Sequence, residues 1–384
     1  MGSVIGPADR ERQVRLLRYL QEEVALRRAG DPGDRPTVLL LLDNYGGFAA
    51  AYDQPADLVY RDAMRRIVAD GPGVGVFVAM SADQAAAVPS NLAALIPEKL
   101  VFQMADLFDY AALGLPNRQL PDLPNGRAVQ VGSSLVVQIA EVSGPDLGRI
   151  AARSASSGVT AVRIGVLPHR SEVADIVDRA SVQDREWFLP IGIGDRRLEP
   201  VGWRLGESDH VLVAGPAKSG KSTALLAISV IVANHRPDVT ITALAPRRSP
   251  LWEAPQVATL VTDPDELELA VQGILDDASP HLVLVDDADD LTDPGGALLG
   301  LIRQRRPNIR VVGAGRADVL RSMYGHWTQE LRRSRQGIAL RPQAEVDGDL
   351  WHTALPRHGP PLRLPGRGYL ISEGGVELVQ VAHP

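Results

Sequence analysis

The sequence predicts an α/β fold, a mostly parallel sheet sandwiched by helices, on three observations. Apolar runs of strand length alternate with stretches of helical period along most of the chain. A Gly-rich loop, residues 215–222, joins one such run (210–214, HVLVA) to a helical stretch, 222–233. A further apolar run, 281–285, ends in Asp286, 65 residues after Lys221. Of the 384 residues, 45% are hydrophobic and 23% charged, enough to bury sizeable cores without cross-links. There is no Cys, which excludes disulfides, thiolate metal sites and cysteine nucleophiles. A net charge of −7 argues against a protein that coats nucleic acid. Met1 to Arg10 lacks the apolar core of a secretory signal, and no apolar run approaches the ~18 residues of a membrane span.

Taken in order, the chain repeats itself. Residues 37–48 (TVLLLLDNYGGF) and 281–291 (HLVLVDDADDL) each hold an apolar run ending in Asp. Next, 74–83 (VGVFVAMSAD) matches 309–318 (IRVVGAGRAD), 126–130 (GRAVQ) matches 366–370 (GRGYL), and 137–140 (VQIA) matches 379–382 (VQVA). Gly126 and Gln138 lie 83 and 95 residues after Asp43, while Gly366 and Gln380 lie 80 and 94 after Asp286. Four landmarks in one order at near-equal spacing predict a duplicated domain.

The copies are unequal. The second carries the Gly-rich loop ahead of Asp286, whereas the first has 42 residues ahead of Asp43. Of these, 9–29 reads as one amphipathic helix with Leu16, Leu17, Leu20 and Val24 on a face. An equivalent loop for Asp43 would fall before residue 1. The expected organisation is therefore a C-terminal half-domain at 9–141, a connector at 142–189 with a strand over 162–167, and a complete domain at 190–384.

The loop Gly215, Pro216, Ala217, Lys218, Ser219, Gly220, Lys221, Ser222 fits G-x-x-x-x-G-K-[ST] at every fixed position, with Thr223 following. Glycines let such a loop curl so that successive amides face one anion, and the helix dipole adds to their pull. Lys221 then reaches the β- and γ-phosphates, and Ser222 offers its hydroxyl to Mg²⁺. ATP with Mg²⁺ is the expected cofactor pair. Only three of the 40 basic residues are Lys (Lys99, Lys218 and Lys221), so a Lys where a compact point charge is wanted carries information. Lys218 reads as solvated, or as a weak second phosphate contact.

Asp286, emerging from a buried strand, is expected to hold the water shell of Mg²⁺. Asp287 stands where related sites place a Glu that orients the attacking water. Asp is one methylene shorter, which predicts nucleotide binding more firmly than brisk hydrolysis. Beyond the run 309–313, Arg316 is the candidate for sensing the γ-phosphate, with a solvated Arg as the equal alternative. Arg332, Arg333 and Arg335 read as a solvated helix face, with a finger toward a neighbouring subunit as the sharper alternative. In the first copy Asn44 follows Asp43; an amide neither accepts a proton nor carries charge, so this half-site is expected to be catalytically silent. The eight His show no ligand spacing, and 4% aromatic residues are too few for a base-stacking platform.

The phosphate loop, the Val285-Asp286-Asp287 strand end, the paired Gly-Arg and V-Q-[IV]-A segments, and Pro190-Ile191-Gly192-Ile193-Gly194 together resemble the FtsK/SpoIIIE group of ATPases. Within it the chain is most similar to the C-terminal part of the tandem-ATPase motor of type VII secretion, the EccC/EssC kind. That resemblance implies RecA-like P-loop NTPase domains in a motor at the cytoplasmic face of the membrane, contacting the membrane only through a part upstream. It also implies oligomeric action and substrate proteins whose C-terminal signals are recognised by the last ATPase domain. Asn44, Asp287 and Pro124-Asn125-Gly126, which stands in place of the usual Pro-Gly-Arg-Gly turn, depart from the family pattern. These departures favour nucleotide binding with weak or regulated turnover.

Three functions compete. The leading one is an ATP-binding motor module that couples ATP binding and slow or regulated hydrolysis to export of small helical proteins, with substrate tails and neighbouring ATPase subunits as partners. The second is a double-stranded DNA translocase of the FtsK/SpoIIIE type. It wants a basic channel and a winged-helix tail, and the net charge of −7 disfavours nucleic acid as partner. The third is a non-hydrolysing, ATP-dependent scaffold.

Overall fold

The computed structural model describes residues 2–30, 35–115, 123–156, 161–179, 181–183, 186–206, 209–356 and 364–384. The chain divides into two compact units, Met1–Gly165 and Val166–Pro384.

The first unit opens with helix α1 (Arg10–Ala29), whose N-cap Asp9 accepts the Arg12 amide. Leu17, Leu20 and Val24 of this helix are buried, as its apolar period requires. Strand β1 (Val38–Leu42) is followed by α2 (Tyr45–Ala51), α3 (Leu58–Asp70) and β2 (Val76–Met80). β1 and β2 pair in parallel, Leu42 opposite Met80, and one core joins α1 to Met64 and Ile67 of α3 and to Leu40 and Val76 of the strands. After α4 (Ser90–Ala93) come β3 (Leu100–Val101), α5 (Leu107–Ala112), β4 (Arg127–Gln130) and β5 (Val136–Gln138). These three strands make a separate antiparallel sheet, and α6 (Gly144–Ser156) follows. The strand expected over 162–167 does not form. The Ile164 carbonyl instead accepts from Arg12 Nε at 2.6 Å, the Gly165 carbonyl accepts from the Arg15 guanidinium, and the Ile164 amide donates to Ser3 Oγ at 2.7 Å. Side chains of α1 satisfy this backbone, so no ladder is needed.

In the second unit β6 (Ser181–Gln183), β7 (Glu186–Gly194) and β8 (Pro200–Leu205) precede β9 (Val211–Ala214) and the long helix α7 (Lys221–His235). There follow β10 (Thr240–Leu244), β11 (Thr259–Val261), α8 (Leu267–Asp276), β12 (His281–Val285), α9 (Ala297–Arg303) and β13 (Ile309–Gly315). The chain ends through α10 (Ala317–Ser322), α11 (Thr328–Arg332), β14 (Gly337–Leu340), β15 (Arg367–Ser372) and β16 (Gly375–Val381). Among the described residues one eleven-stranded sheet runs β11-β10-β12-β13-β9-β14-β15-β16-β7-β6, with β8 on β7. The first six strands are mutually parallel and the rest join antiparallel. β9, β12 and β13 are buried along their whole length, as strands rich in Val, Leu and Ile and covered on both faces require; Arg310 is buried within β13, its guanidinium over the Trp187 ring. On one face Leu282, Leu284 and Val312 share a core with Leu225 and Ile228 of α7. On the other, Val283, Val285 and Val311 pack with Val271 of α8 and Leu298 and Leu301 of α9. The outcome is the RecA-like sandwich.

The repeat is visible bond for bond. The residue after each strand-end Asp is left-handed, Asn44 with φ +60° and Asp287 with φ +47°. Next in sequence, the Tyr45 amide donates to the Ser81 carbonyl at 2.8 Å, and the Ala288 amide donates to the Ala314 carbonyl at 2.8 Å. Gly126 and Gly366 have φ +78° and +72°, and their carbonyls accept from Ile139 and Val381 at 2.8 Å each. Arg127 Nε and Arg367 Nε donate to Gln138 Oε1 and Gln380 Oε1 at 3.4 and 2.9 Å. Only Gly serves at 126 and 366: beyond the positive φ, a Cβ would come within 2.8 and 3.0 Å of the Gln amide nitrogen.

Candidate nucleotide site

β9 lies between β13 and β14 inside the parallel part of the sheet, and the Gly-rich loop leaves its C-terminal end. The Gly215 amide donates to the Gly315 carbonyl at 3.3 Å, which ties the loop to β13. Pro216, Ala217 and Lys218 arch outward and are exposed; Ser219 is fully buried and returns the chain to α7. Left-handed Lys218 (φ +57°) and Gly220 (φ +103°) give the loop its curl, the backbone geometry by which such loops cradle an anion. No side chain caps α7 at Gly220. Lys221 is buried, and its Nζ donates to the Pro216 carbonyl at 3.0 Å, spanning the mouth of the loop. Burial pulls its pKa below the ordinary lysine value, while the carboxylates of Asp289, Asp287 and Asp286 work against that and favour the charged ammonium.

Asp286 faces Ser222. The Ser222 hydroxyl donates to Asp286 Oδ1 at 3.1 Å, the Ser249 hydroxyl donates to Oδ2 at 2.7 Å, and the Asp287 amide donates to Oδ1 at 3.1 Å. The hydroxyl and carboxylate expected to serve Mg²⁺ thus meet although 64 residues separate them. Thr223 lies half-buried in the first turn of α7. Asp287 is partly buried in the left-handed region, and burial together with the charges of Asp286 and Asp289 holds its pKa above the usual carboxylate range. That conformation is one Asn and Asp tolerate and longer side chains adopt less readily. It accounts for a short residue at both 287 and 44.

Arg316 stands at the end of β13, between the loop and Asp286, with its backbone amide on Asp289 Oδ1 at 3.0 Å and its Nε on Asp289 Oδ2 at 2.9 Å. Its side chain stays 46% exposed while that of Asp289 is 1% exposed. Sequence reasoning missed Asp289 and Ser249. The run Asp286-Asp287-Ala288-Asp289-Asp290 hid which acid turns inward, and Ser249 before Pro250 carried only the signature of a turn start, which it also fulfils by accepting the Leu251 amide. The 332–335 arginines part company. Arg332 turns inward and donates to the Leu320 carbonyl, whereas Arg333 pairs with Glu330 at 2.9 Å on the surface. Neither a uniformly solvated face nor an extended finger describes Arg332.

In the first unit Ser81 Oγ donates to Asp43 Oδ1 at 2.5 Å and accepts the Asn44 amide at 2.9 Å. Asn44 Oδ1 accepts the Gly47 amide and caps α2. Asn44 is thus built into a helix start.

The residues present fit a Mg²⁺-nucleotide. Ser219 Oγ, wholly buried, has no hydrogen-bond partner among the described residues, the α7 N-terminus has no side-chain cap, and a hydroxyl–carboxylate pair stands beside a buried lysine. No described helix is long and apolar enough to cross a membrane.

No family model matches the chain. It is 26% identical over 379 residues to the ESX-4 secretion system protein EccC4 of Mycobacterium tuberculosis, covering 90% of this chain and 29% of that protein. It is 26% identical over 255 residues to the ESX-1 secretion system protein EccCb1 of the same organism, covering 62% of this chain and 42% of that one. The chain therefore spans less than half the length of either relative. Among solved structures, ATPases 2 and 3 of Thermomonospora curvata EccC, in complex with a signal sequence peptide, match with a TM-score of 0.66 at 20% identity, covering 100% of this chain and 78% of that one. ATPases 2 and 3 of Geobacillus thermodenitrificans EssC match with a TM-score of 0.66 at 18% identity, covering 97% and 77%. The fold, the Gly-rich loop and these relatives agree: the chain shares the fold of, and is similar to, the EccC/EssC ATPases of type VII secretion.

Proposed function

We propose that the second unit binds Mg²⁺-ATP and serves as a motor module of a type VII-like protein secretion ATPase, with slow or regulated turnover. The observation that carries this reading is the meeting of Ser222 with Asp286 beside buried Lys221. In it the loop amides of 217–222 bind the phosphates, Lys221 leaves the Pro216 carbonyl to neutralise the β- and γ-oxygens, and Ser222 and Asp286 hold the metal. Bound Mg²⁺ supplies charge neutralisation at the phosphates. In the same reading Asp287 takes a proton from, or orients, the attacking water; its raised pKa suits a proton acceptor, and its short side chain limits the rate. Arg316 is the γ-phosphate contact.

The same reading treats 9–141 as a C-terminal half-domain with a silent half-site, 142–189 as a connector and 190–384 as a complete domain. The bond-for-bond correspondence between the two units supports it. The place of action is the cytoplasmic face of the membrane, the partners are secreted protein tails and neighbouring ATPase subunits, and the named relatives support both.

Titration of labelled ATP with and without Mg²⁺ tests the site. We expect Lys221→Ala to weaken binding at least ~10-fold, the scale of one lost charge-assisted phosphate contact; equal binding by both proteins sinks the proposal. Saturable binding of a secretion-substrate tail supports export, whereas turnover stimulated by duplex DNA with a steep salt slope replaces it with the translocase.

A further inference from the structure

The first unit has an apolar face with nothing on it. β1 and β2 present Leu40 and Val76 to α1 and α3, but Leu39, Leu41 and Phe77 on the opposite face are 58%, 70% and 44% exposed. Both strands also have a free edge among the described residues, since their sheet has two strands.

The second unit shows what such a face is for. Aligning Asp43 with Asp286 places Leu39 and Leu41 on Leu282 and Leu284, and the strand registers place Ala79 on Val312. Leu282, Leu284 and Val312 are fully buried in the core they share with Ala224, Leu225 and Ile228 of α7, the helix that follows the phosphate loop. The bare face of the first unit is thus the face that a phosphate-loop helix covers in the second.

Topology points the same way. In the second unit β9 bridges β13 and β14, pairing Val211 with Val312 and Leu212 with Gly337. β2 corresponds to β13, and β3, antiparallel to β4, corresponds to β14, antiparallel to β15. In the first unit no described strand joins β2 to β3, and one sheet becomes two. A single strand of the β9 kind would reunite them, as its helix covered Leu39, Leu41 and Ala79.

We propose that this face and gap dock a phosphate-loop half-domain: a polypeptide with a short apolar strand, a Gly-rich loop and an apolar helix, entering parallel between β2 and β3. The argument rests on the half-domain reading above.

The probe is a fluorescent synthetic peptide of residues 209–236, this chain's own strand–loop–helix, titrated into the full chain. We expect saturable binding, weakened at least ~10-fold by the double variant L41E/F77E, with new hydrogen-exchange protection at 38–42 and 76–80. Both variant positions lie outside the Lys221 site, so ATP affinity there stays within about two-fold and separates failure of docking from failure of the nucleotide reading. Should L41E/F77E fail to fold, Ala79→Glu takes its place. Absence of binding, equal binding by wild type and variant, or protection that rises with protein concentration without peptide, which assigns the face to a second copy, overturns the proposal.

Discussion

Asp289 holds Arg316 by two hydrogen bonds, Oδ1 on the backbone amide at 3.0 Å and Oδ2 on Nε at 2.9 Å. One buried carboxylate therefore fixes the position of β13's end and the direction of its arginine. Asp289 is also the foremost charge favouring ionised Lys221. We expect Asp289→Ala to cost about 1–3 kcal/mol, the penalty for stranding a backbone amide and an arginine contact. ATP affinity should fall with it, although the carboxylate itself lies outside the phosphate loop. Thermal melting and nucleotide titration check both effects.

Position 287 should reject the residue that related ATPases place there. Asp287→Glu forces a longer side chain into φ +47°, so we expect a loss of about 0.5–2 kcal/mol and no faster turnover. Asp287→Asn keeps a residue tolerant of that conformation, as Asn44 demonstrates, and removes repulsion from Asp286 and Asp289. Because the Asp287 pKa is raised in the folded state, its charged form destabilises the fold above the ordinary carboxylate pKa. The gain from Asp287→Asn should be present at neutral pH and vanish as pH falls below about 4. Residual ATP hydrolysis should be lost in Asp287→Asn while ATP still binds; melting curves against pH and a turnover assay separate the two effects.

The twin glutamines offer a paired test of burial. Gln380 is buried, and its Nε2 donates to the Pro365 carbonyl at 3.0 Å as its Oε1 takes Arg367 Nε. Gln138 repeats the pattern while exposed, donating to the Asn125 carbonyl at 3.3 Å. We expect Gln380→Ala to cost about 2–3 kcal/mol and Gln138→Ala less than about 0.5 kcal/mol, because water replaces the exposed bonds but not the buried ones. Chemical denaturation of the two variants decides it.

His210 makes the second unit sensitive to acid. The ring is buried, with Nδ1 accepting the Val311 amide at 3.2 Å, and burial, aided by Arg310, brings its pKa down to about 4 from 6.5. The unfolded chain therefore binds a proton that the folded chain refuses. Stability is complete above pH about 6.5 and falls as pH drops toward about 4, by up to about 3 kcal/mol over that window. His210→Asn should flatten this part of the melting-temperature profile.

Much of this architecture was legible because it follows from period and spacing. The buried strands β9 and β12 announce themselves as apolar runs and β13 as one broken only by Arg310, and the phosphate loop by residues that each answer a backbone need. Four landmarks recur in the sequence at near-equal spacing, and the hydrogen bonds at the last of them match, Arg127–Gln138 and Arg367–Gln380. Tertiary choices were not legible. Which of four acids after Val285 turns inward depends on the left-handed turn at Asp287, which no periodicity encodes. The segment at 162–167 has strand composition, yet arginines from α1, some 150 residues earlier, take its carbonyls. Arg332 reads as a surface residue until the Leu320 carbonyl is seen above it.

The Gly366 amide donates to the Ser219 carbonyl at 3.2 Å, so the innermost residue of the phosphate loop leans on a partner 147 positions further along. During synthesis the loop leaves the ribosome long before its support does. The shape of the Gly-rich loop therefore depends on a contact of long sequence separation, which forms only once the hairpin β15–β16 has docked.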